Sequence, residues 1–415
     1  MHLLIYCHNL FIHNHQDSIQ LHGVIMVKIK EFRPFMFSGE TSKFVSPPFD
    51  SISKNMEKEL KKDNMNVSCL TLPENGDITK VSKLLQKWIE DGALHRVPSG
   101  GIFVIDQQYE EDGNMKRLTG MVCLVKIFPE NDDVKPHEKT FPKPVDERAR
   151  IMLSSKAQLE PVYFAVNSEG LEKTLQEIIE KKERIAAFSD YQNVKNSIYF
   201  VSDNDSIGRL KELLKESHAV IADGHHRTKA TIMNAQNSSD PVEKEFWSNI
   251  MAYVVPIQSE GLKIDGINRL IQKECSSAIK AGNSVGGIEF KEEGCSDEKF
   301  KIYNGKMIGV HIKGDEENGP EEKIPIGMVN KKILEGICKF EEDDFADRIS
   351  YFHDQNEVVE EVERNPGSFA IILPKWNKRM FIDVMEKVSV LPQKSTYFFP
   401  KIPSGILINL FRSSE

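Results

Sequence analysis

Short apolar runs alternate with amphipathic segments through the middle of the chain, and this alternation most limits the possible folds. Leu171, Leu175 and Ile178 recur at helical spacing directly after a strand-like apolar run. Strands that alternate with helices in this way predict a mixed α/β fold. The predicted order is strand 161–166, helix 171–179, strand 198–201, helix 207–214, strand 219–222, a helix from about residue 226, and strand 249–257.

Further elements are predicted on both sides of this central block. Apolar residues at helical spacing and Gly92 after the last turn predict a helix over residues 77–91. Two apolar runs separated by a polar turn that contains Gly113 predict a hairpin of strands 102–105 and 121–128. After residue 272 the composition shifts towards Gly, Glu, Lys and Asp. The elements predicted there are strand 307–312, a helix near 331–339, strand 368–373 and a helix near 378–388.

Charge and cysteine usage exclude several classes of protein. The chain has 63 acidic and 54 basic residues and a formal net charge of −9, whereas nucleic-acid binding depends on Lys and Arg that neutralise phosphates. We therefore expect no nucleic-acid partner. The six cysteines form no CxxC pair, which favours reduced thiols in a cytoplasmic protein. No apolar stretch is long enough to cross a bilayer, so we expect no membrane partner.

The first 25 residues differ from the rest, since they hold five of the twelve histidines. They lack the basic start and the small-residue cleavage site of a signal peptide. We expect a disordered extension, with a metal-binding tail as the alternative; this segment lies outside the residues that the structure describes. We therefore divide the chain into an extension, 1–25, an N-terminal α/β region, 26–134, a central core, 135–272, and a C-terminal α/β region, 273–415, that returns to the site.

The strongest local signal for chemistry is the run Ala222-Asp223-Gly224-His225-His226-Arg227-Thr228. An apolar strand leads into Gly224 and a helix is predicted to begin directly after it, so backbone N–H groups of the first turn are free to bind a ligand. Arg and backbone amides bind phosphate oxygens well. The run therefore predicts a phosphate site formed by Gly224, His225, His226, Arg227 and Thr228, in which Asp223 coordinates Mg²⁺ or orients a histidine.

Three other segments carry groups that could join this site. The run Lys135-Pro136-His137-Glu138-Lys139-Thr140 is predicted to be a loop because Pro136 and Pro142 disfavour regular structure, and Asp146 and Arg148 follow it. Glu138 is a candidate general base and His137 its partner, although a solvated charged loop fits the same residues. The others are 46–51, Ser-Pro-Pro-Phe-Asp-Ser, and 391–401, which includes Gln393, Lys394, Ser395 and Thr396.

Several common site motifs are absent from the sequence. Lys394-Ser395-Thr396 lacks the glycines that precede a Walker lysine, and G-x-G-x-x-G, G-x-S-x-G and H-E-x-x-H do not occur. His225 and His226 have no Cys or His partner at a short zinc-ligand spacing. P-loop, dinucleotide-binding, hydrolase and zinc-protease functions therefore have no support.

Taken in order, four of these motifs resemble a widespread family of unknown function. They are Ser46-Pro47-Pro48-Phe49-Asp50, Pro136-His137-Glu138-x-Thr140, Ile221-Ala222-Asp223-Gly224-His225-His226-Arg227 and Pro392-Gln393-Lys394-Ser395-Thr396-Tyr397-Phe398-Phe399-Pro400-Lys401. The Asp-Gly-His-His-Arg core is also similar to that of the free-serine kinases of the ParB/sulfiredoxin superfamily. Those enzymes phosphorylate L-serine with ADP, ATP or pyrophosphate as donor.

The resemblance implies a ParB/sulfiredoxin-like catalytic core with N-terminal and C-terminal α/β additions, and a role for each motif. Glu138 would be the base that accepts the serine hydroxyl proton, and residues 224–228 would surround the transferred phosphate. Asp223 would act near Mg²⁺, with no organic cofactor. Further donor contacts would come from Lys394, Ser395 and Thr396, and substrate contacts from Asp50, Arg148 and Gln393.

The resemblance leaves the substrates partly open. The absence of an adenine-binding motif favours pyrophosphate over an adenine nucleotide as the donor. Sulfiredoxin-like members carry a nucleophilic Cys where this chain has His225, so sulfinic-acid repair is not expected. A kinase for another small alcohol and a ParB-like nucleotide-binding regulatory or scaffold protein are the alternatives to a free L-serine kinase.

Overall fold

A computed structural model of the chain describes residues 27–129, 134–136, 142–272, 279, 284–292, 294, 298–313, 324–341, 345–387 and 391–412. These residues form mixed helices and sheets, so the predicted α/β class is confirmed. Two large sheets dominate the described part of the chain. The first contains nine strands, in the order Val134–Pro136, Ala219–Asp223, Val162–Val166, Asn249–Pro256, Asn114–Lys126, Ile102–Glu111, Lys195–Val201 and Arg184–Ser189, with Ile29–Lys30 paired to Asn114–Lys126.

The strands Ile102–Glu111, Val162–Val166 and Asn249–Pro256 of the nine-stranded sheet are buried on both faces, to which their successive side chains point in turn. Ile102 and Val104 pack into a core that includes Leu171 and Leu210, from the helices Leu171–Ile179 and Asn204–Leu214. Phe103 lies between them in sequence and packs into the opposite core. A hydrophobic core therefore lies on each face of the sheet, which explains why the predicted strands read as nearly continuous apolar runs.

The opposite core is shared with the second large sheet, since Phe103 and Phe369 belong to one cluster of buried side chains. In the described residues this C-terminal sheet has seven strands. Their order is Ser284–Val285, Ile288–Glu292, Met307–Ile312, Phe300–Tyr303, Phe369–Ile372, Asn268–Ile271 and Ile349–Phe352. Three short pairs complete the sheets: Lys263–Asp265 with Tyr397–Phe399, Phe35–Phe37 with Leu94–Arg96, and Ala157–Gln158 with Asn409–Leu410.

The helices cover the sheets and connect them. Besides the two already named, the α-helices are Thr41–Phe44, Lys54–Leu60, Ser68–Thr71, Thr79–Glu90, Pro142–Ser155, His225–Asn237, Pro241–Trp247, Pro325–Met328, Phe345–Arg348, Gln355–Arg364 and Lys378–Lys387. Phe49–Ser51 and Glu74–Gly76 are 3₁₀ turns, and Val329–Ile337 is a π-helix. The helices predicted at 77–91, 171–179, 207–214 and 378–388 are confirmed.

The structure corrects three predictions about local structure. The prediction that Pro142 disfavours regular structure is wrong, because Pro142 is the first residue of the helix Pro142–Ser155. Proline is tolerated at this position because the first N–H groups of a helix have no partner within the helix. Lys135 and Pro136 belong to a strand. The predicted hairpin is present, but its first strand, Ile102–Glu111, continues past residue 105, and its second strand, Asn114–Lys126, begins before residue 121.

The nine-stranded sheet takes strands from both the N-terminal and the central region. Strands from both sides of residue 134 hydrogen-bond within the nine-stranded sheet, as Asn249–Pro256 does with Asn114–Lys126. Asn268–Ile271, which precedes the predicted boundary at residue 272, lies in the C-terminal sheet. The N-terminal and central regions therefore share one framework.

Two further expectations from the sequence can be compared with the structure. Cys69 and Cys123 are free thiols, but Cys338 is disulfide-bonded, so the expectation of reduced thiols is wrong for Cys338. Of the helices in the described part of the chain, none combines the length and apolar character that a bilayer crossing requires.

Candidate functional site

A pocket of about 170 Å³ lies where the strand Ala219–Asp223 meets the helix His225–Asn237. Its lining comes from segments that are far apart in the sequence. It includes seven predicted site residues at the strand-to-helix turn and in the C-terminal run, together with Asp50 from the N-terminal region. The lining residues are Asp50, Ser51, Ala222, Asp223, Gly224, His225, His226, Ile267, His353, Gln393, Lys394, Thr396, Tyr397 and Lys401.

Gly224 makes the turn that opens this pocket. Its φ of +91° lies in the left-handed region, which L-residues with a Cβ adopt only at a cost. A Cβ at this position would also lie 2.8 Å from Cγ1 of Val162 and 3.1 Å from Nη2 of Arg227. Because the helix begins at His225, the first-turn N–H groups and the positive end of the helix dipole lie beside the pocket. The predicted strand–turn–helix geometry is confirmed.

A largely buried ion pair is the main electrostatic feature of the pocket. Lys401 Nζ donates to Asp223 Oδ2 at 2.8 Å, and the two side chains are only 8% and 14% exposed. Nη2 of Arg227 lies 3.8 Å from the other carboxylate oxygen. Burial would raise the pKa of Asp223, but Lys401 and Arg227 outweigh it and hold that pKa well below its ordinary value. Asp223 is therefore a carboxylate at neutral pH.

Asp50 is a second carboxyl group in the pocket, and its environment shifts its pKa in the opposite direction to that of Asp223. Loss of hydration inside the cleft, followed by the charge of Asp223, raises the pKa of Asp50. Arg227, Lys394 and Lys401 oppose this shift. Two neighbouring carboxyl groups whose pKa values are displaced in opposite directions are typical of sites that carry out proton transfer.

His353, Tyr397 and Lys401 are pocket residues that the sequence analysis did not assign. The rings of His353 and Tyr397 stack with centroids 3.9 Å apart, and Lys401 Nζ lies 4.9 Å from the centroid of the Tyr397 ring. Loss of hydration, together with Lys401 and Lys394, lowers the pKa of His353 to about 4, so this ring is neutral at pH 7. Lys401 could have been predicted as a site residue, because it ends the motif of residues 392–401. His353 could not, because it belongs to none of the motifs found in the sequence.

Four predicted site residues do not line this pocket. Arg227 is buried, and its Nη1 donates to the Pro161 carbonyl at 2.8 Å. Thr228 donates from its hydroxyl to the Gly224 carbonyl at 3.1 Å, and Ser395 donates to the Pro392 carbonyl. Arg148 donates to the Thr71 carbonyl, and its guanidinium stacks 4.0 Å from the centroid of the Phe49 ring. These groups support the walls of the pocket from behind.

His137 and Glu138 lie outside the described residues, but the strand that leads to them is described. Val134–Pro136 runs parallel to Ala219–Asp223, and Pro136 is the register partner of Ile221. The carboxyl ends of parallel neighbours lie at the same edge of a sheet. The chain therefore leaves Pro136 at the edge where Asp223 and Gly224 open the pocket.

A magnesium site can be tested against the groups present. Among the described residues, no cluster of three or more His, Cys, Asp or Glu side chains has the arrangement of a metal cage. Mg²⁺ needs no such cage, because it commonly binds one or two carboxylates together with substrate phosphates and water. Asp50 and Asp223 provide two carboxyl groups in one pocket. This donor set fits an ion that arrives with a phosphate ligand.

Comparison with solved structures gives distant likenesses. A conserved hypothetical protein from Pyrococcus furiosus is 14% identical, with a TM-score of 0.36, over 67% of this chain and 92% of that one. A free serine kinase in complex with AMP is 13% identical, with a TM-score of 0.36, over 66% and 89%. SbnI with a C-terminal truncation, from Staphylococcus aureus, is 9% identical, with a TM-score of 0.37, over 70% and 87%. Likenesses of this size do not identify an activity.

Comparison with families gives a firmer result. None of the curated proteins matches the chain. The model of a family described as "Protein of unknown function (DUF1015)" matches residues 30–340, which is well over half of the chain. The predicted membership of a family of unknown function is thereby confirmed. The chain belongs to the DUF1015 family.

Proposed function

We propose that the protein is a phosphotransferase that transfers a phosphoryl group to the hydroxyl of a small metabolite, with free L-serine as the acceptor. The observation that carries this proposal is the composition of the pocket, where the helix N-terminus at His225 meets Lys394 and Lys401. Phosphoryl transfer is catalysed mainly by positioning and by groups that stabilise spreading negative charge. Amides, ammonium groups and histidines in one small cavity meet that requirement.

The size of the pocket favours small polar substrates. Its volume of about 170 Å³ lies below the range of about 300–1,000 Å³ that is usual for pockets enclosing drug-sized ligands. An amino acid and the phosphates of a donor suit such a space better than an entire nucleotide. Pyrophosphate is therefore our preferred donor, with ADP or ATP as the alternatives. The choice of L-serine rests on the motif resemblance.

Glu138 is proposed as the general base for the acceptor hydroxyl. Support comes from the parallel register of Val134–Pro136 with Ala219–Asp223, because this register places Pro136, two residues before Glu138 in the sequence, at the edge of the sheet where the pocket opens. His137 would be its partner in proton transfer. Gln393, Lys394 and Thr396 face the pocket and would contact the donor or the acceptor.

Asp223 would hold Mg²⁺ when it arrives with the donor phosphates, and Asp50 would contact the acceptor. The ion would supply charge neutralisation and orientation of the phosphate oxygens. The protein's own contribution is a carboxylate kept ionised, since Lys401 and Arg227 depress the pKa of Asp223. Arg227 contributes through Asp223, because its guanidinium is buried behind the turn.

A panel of donors and acceptors tests the proposal. Purified protein with Mg²⁺ is incubated with pyrophosphate, ADP or ATP, and separately with L-serine, L-threonine, L-homoserine or glycerol. We expect O-phospho-L-serine with at least one donor, and a large loss of product in Lys401→Met. Lys211→Met, which changes an exposed lysine that does not line the pocket, is the matched control and should retain activity.

The outcome of this panel separates the alternatives. Product with another alcohol but not with L-serine would identify a different small-molecule kinase. No product with any pair, combined with nucleotide binding, would favour a ParB-like nucleotide-binding regulatory or scaffold protein and would refute the proposal.

A further inference from the structure

Glu160 is a buried carboxyl residue directly behind the pocket, with only 7% of its surface exposed. It lies between the strands Ala157–Gln158 and Val162–Val166 and does not line the pocket itself. A buried carboxylate is costly unless hydrogen bonds and cations compensate it. The partners of Glu160 therefore indicate what this residue does.

Two hydrogen bonds connect Glu160 to the N-terminal and the C-terminal segments of the site. Its Oε1 accepts from the backbone N–H of Phe49 at 3.2 Å and from the hydroxyl of Ser404 at 2.6 Å. Phe49 immediately precedes the pocket residue Asp50, and Ser404 follows Lys401 by three residues. A reciprocal pair of backbone hydrogen bonds between Ser46 and Ser404 joins the same two segments.

Glu160 also faces the third segment of the site. Glu160 and Arg227 line the same small internal cavity, of about 20 Å³, and the carboxylate of Glu160 attracts the guanidinium of Arg227. Nη1 of Arg227 donates to the carbonyl of Pro161, the residue after Glu160. The other end of that guanidinium faces Asp223. One buried carboxylate thus hydrogen-bonds the segments that carry Asp50 and Lys401 and attracts Arg227, which adjoins Asp223.

We propose that Glu160 is a positioning residue that fixes the N-terminal, central and C-terminal segments of the pocket relative to one another. Each partner of Glu160 belongs to a segment that presents a charged group to the pocket. Two hydrogen bonds and the attraction to Arg227 therefore connect the three segments through one carboxylate. Loss of Glu160 therefore displaces Asp50 and Arg227 while the sheets stay folded.

Hydrogen–deuterium exchange tests this inference without reference to any activity. In Glu160→Ala we expect amide exchange to rise at least tenfold in 49–51 and 225–228 and to stay within twofold in the strand Ile102–Glu111. Ser404→Ala should raise exchange at least threefold in 49–51. Glu160→Gln keeps an acceptor oxygen and should remain close to wild type there. Glu177→Gln, on an exposed ion pair with Arg209, is the control for the change in charge.

The exchange results have clear refuting outcomes. Unchanged exchange in 49–51 of Glu160→Ala would overturn the inference, and so would an increase spread evenly over the sheet. If Glu160→Ala does not fold, Ser404→Ala tests the inference instead, because it removes one hydrogen bond to Glu160. Unchanged exchange in residues 49–51 of Ser404→Ala would contradict the connection through Glu160.

The kinetic arm rests on the proposed function. Loss of folded protein alone lowers kcat without changing KM, whereas displacement of Asp50 should raise KM for the acceptor at least fivefold. A misplacement of about 1 Å can cost about 10²-fold in rate, so we expect kcat/KM to fall 10- to 100-fold in Glu160→Ala. Glu160→Gln should restore most of it. Unchanged KM and kcat in Glu160→Ala would refute positioning, whereas an inactive wild type would refute the proposed function and leave the exchange test valid.

Discussion

Removal of Lys401 should destabilise the protein much more than removal of an ordinary lysine. Lys401→Met leaves the carboxylate of Asp223 buried without its nearest cation, and breaking a buried pair in this way typically costs about 3–5 kcal/mol. With an effective dielectric constant of about 20, the attraction across the 2.8 Å contact is about 6 kcal/mol, and that from Arg227 at 3.8 Å is about 4 kcal/mol. Because Arg227 remains, we expect a loss near the lower limit, about 3 kcal/mol.

Urea unfolding followed by tryptophan fluorescence measures this loss. Lys211→Met is the control, since Lys211 and its partner Glu31 are 44% and 33% exposed and such pairs contribute about 0–1 kcal/mol. The double variant Lys401→Met/Asp223→Asn carries no unpaired charge at this position. It should be more stable than Lys401→Met by about 1–2 kcal/mol, the coupling expected for contacting residues. A loss below 1 kcal/mol in Lys401→Met, similar to that of the control, would refute the role assigned to the pair.

The pH dependence gives the same prediction a second test. The lowered pKa of Asp223 stabilises the fold above the unfolded value of about 3.9, and this stabilisation is lost as pH falls through the folded pKa. The raised pKa of Lys401 stabilises the fold below about 10.4 and is lost as pH rises through its folded value. The difference between wild type and Lys401→Met should therefore be greatest between about pH 4 and pH 10 and should narrow outside that range. A difference that does not vary with pH would contradict the ion-pair origin.

Three other changes test separate parts of the site. Glu138→Ala should lower kcat about 10²–10⁴-fold, the usual contribution of a general base, and near-wild-type turnover would remove Glu138 from the mechanism. Gly224→Ala should cost about 1–3 kcal/mol for the left-handed backbone alone, with the clash against Val162 added, so unfolding of this variant at wild-type urea concentrations would contradict the strained turn. His353 has a pKa lowered to about 4, so its contribution to stability is present above about pH 6.5 and is lost as pH falls towards 4. His353→Phe should therefore lose less stability than wild type over that range in parallel thermal melts, and an equal or larger loss would count against a neutral ring.

The helices could be predicted from the sequence because their burial repeats with helical spacing. In Thr79–Glu90 the buried residues are Val81, Leu85 and Trp88, and these produced the prediction over 77–91. The positions of the strands were predicted correctly, but their lengths were not. Ile102–Glu111 continues through Asp106 and Gln107, which are buried polar residues, and the predicted strand ended before them.

Distant partners explain those buried polar side chains. Asp106 pairs with Arg117 at 2.6 Å, and Gln107 donates to Asn196 at 2.9 Å. Neither partner can be identified from a local pattern of apolar residues, since Asn196 is 89 residues away along the chain. A polar residue inside a strand therefore looks like the end of that strand until the sheet order is known.

The candidate site shows the same division between local and long-range information. The run from Asp223 to Thr228 indicated a strand, a turn and a helix start, and all three are present. Which side chains face the ligand depends on helix phase, since each residue turns by about 100°. His225 and His226 face the pocket, whereas Arg227 and Thr228 point into the core.

The pocket depends on parts of the chain that lie beyond the region matched by the family model, which ends at residue 340. His353, Lys394 and Lys401 all follow that point, and Lys401 is 178 residues from its partner Asp223. Pairing of Tyr397–Phe399 with Lys263–Asp265 joins this C-terminal segment to the part of the chain that follows the strand Asn249–Pro256 of the nine-stranded sheet. Since the main cation on Asp223 arrives by this route, the charge balance of the site is a property of the whole chain. The turn around Gly224 brings Asp223 to the pocket, but Lys401 can hold that carboxylate ionised only when the C-terminal segment is in place.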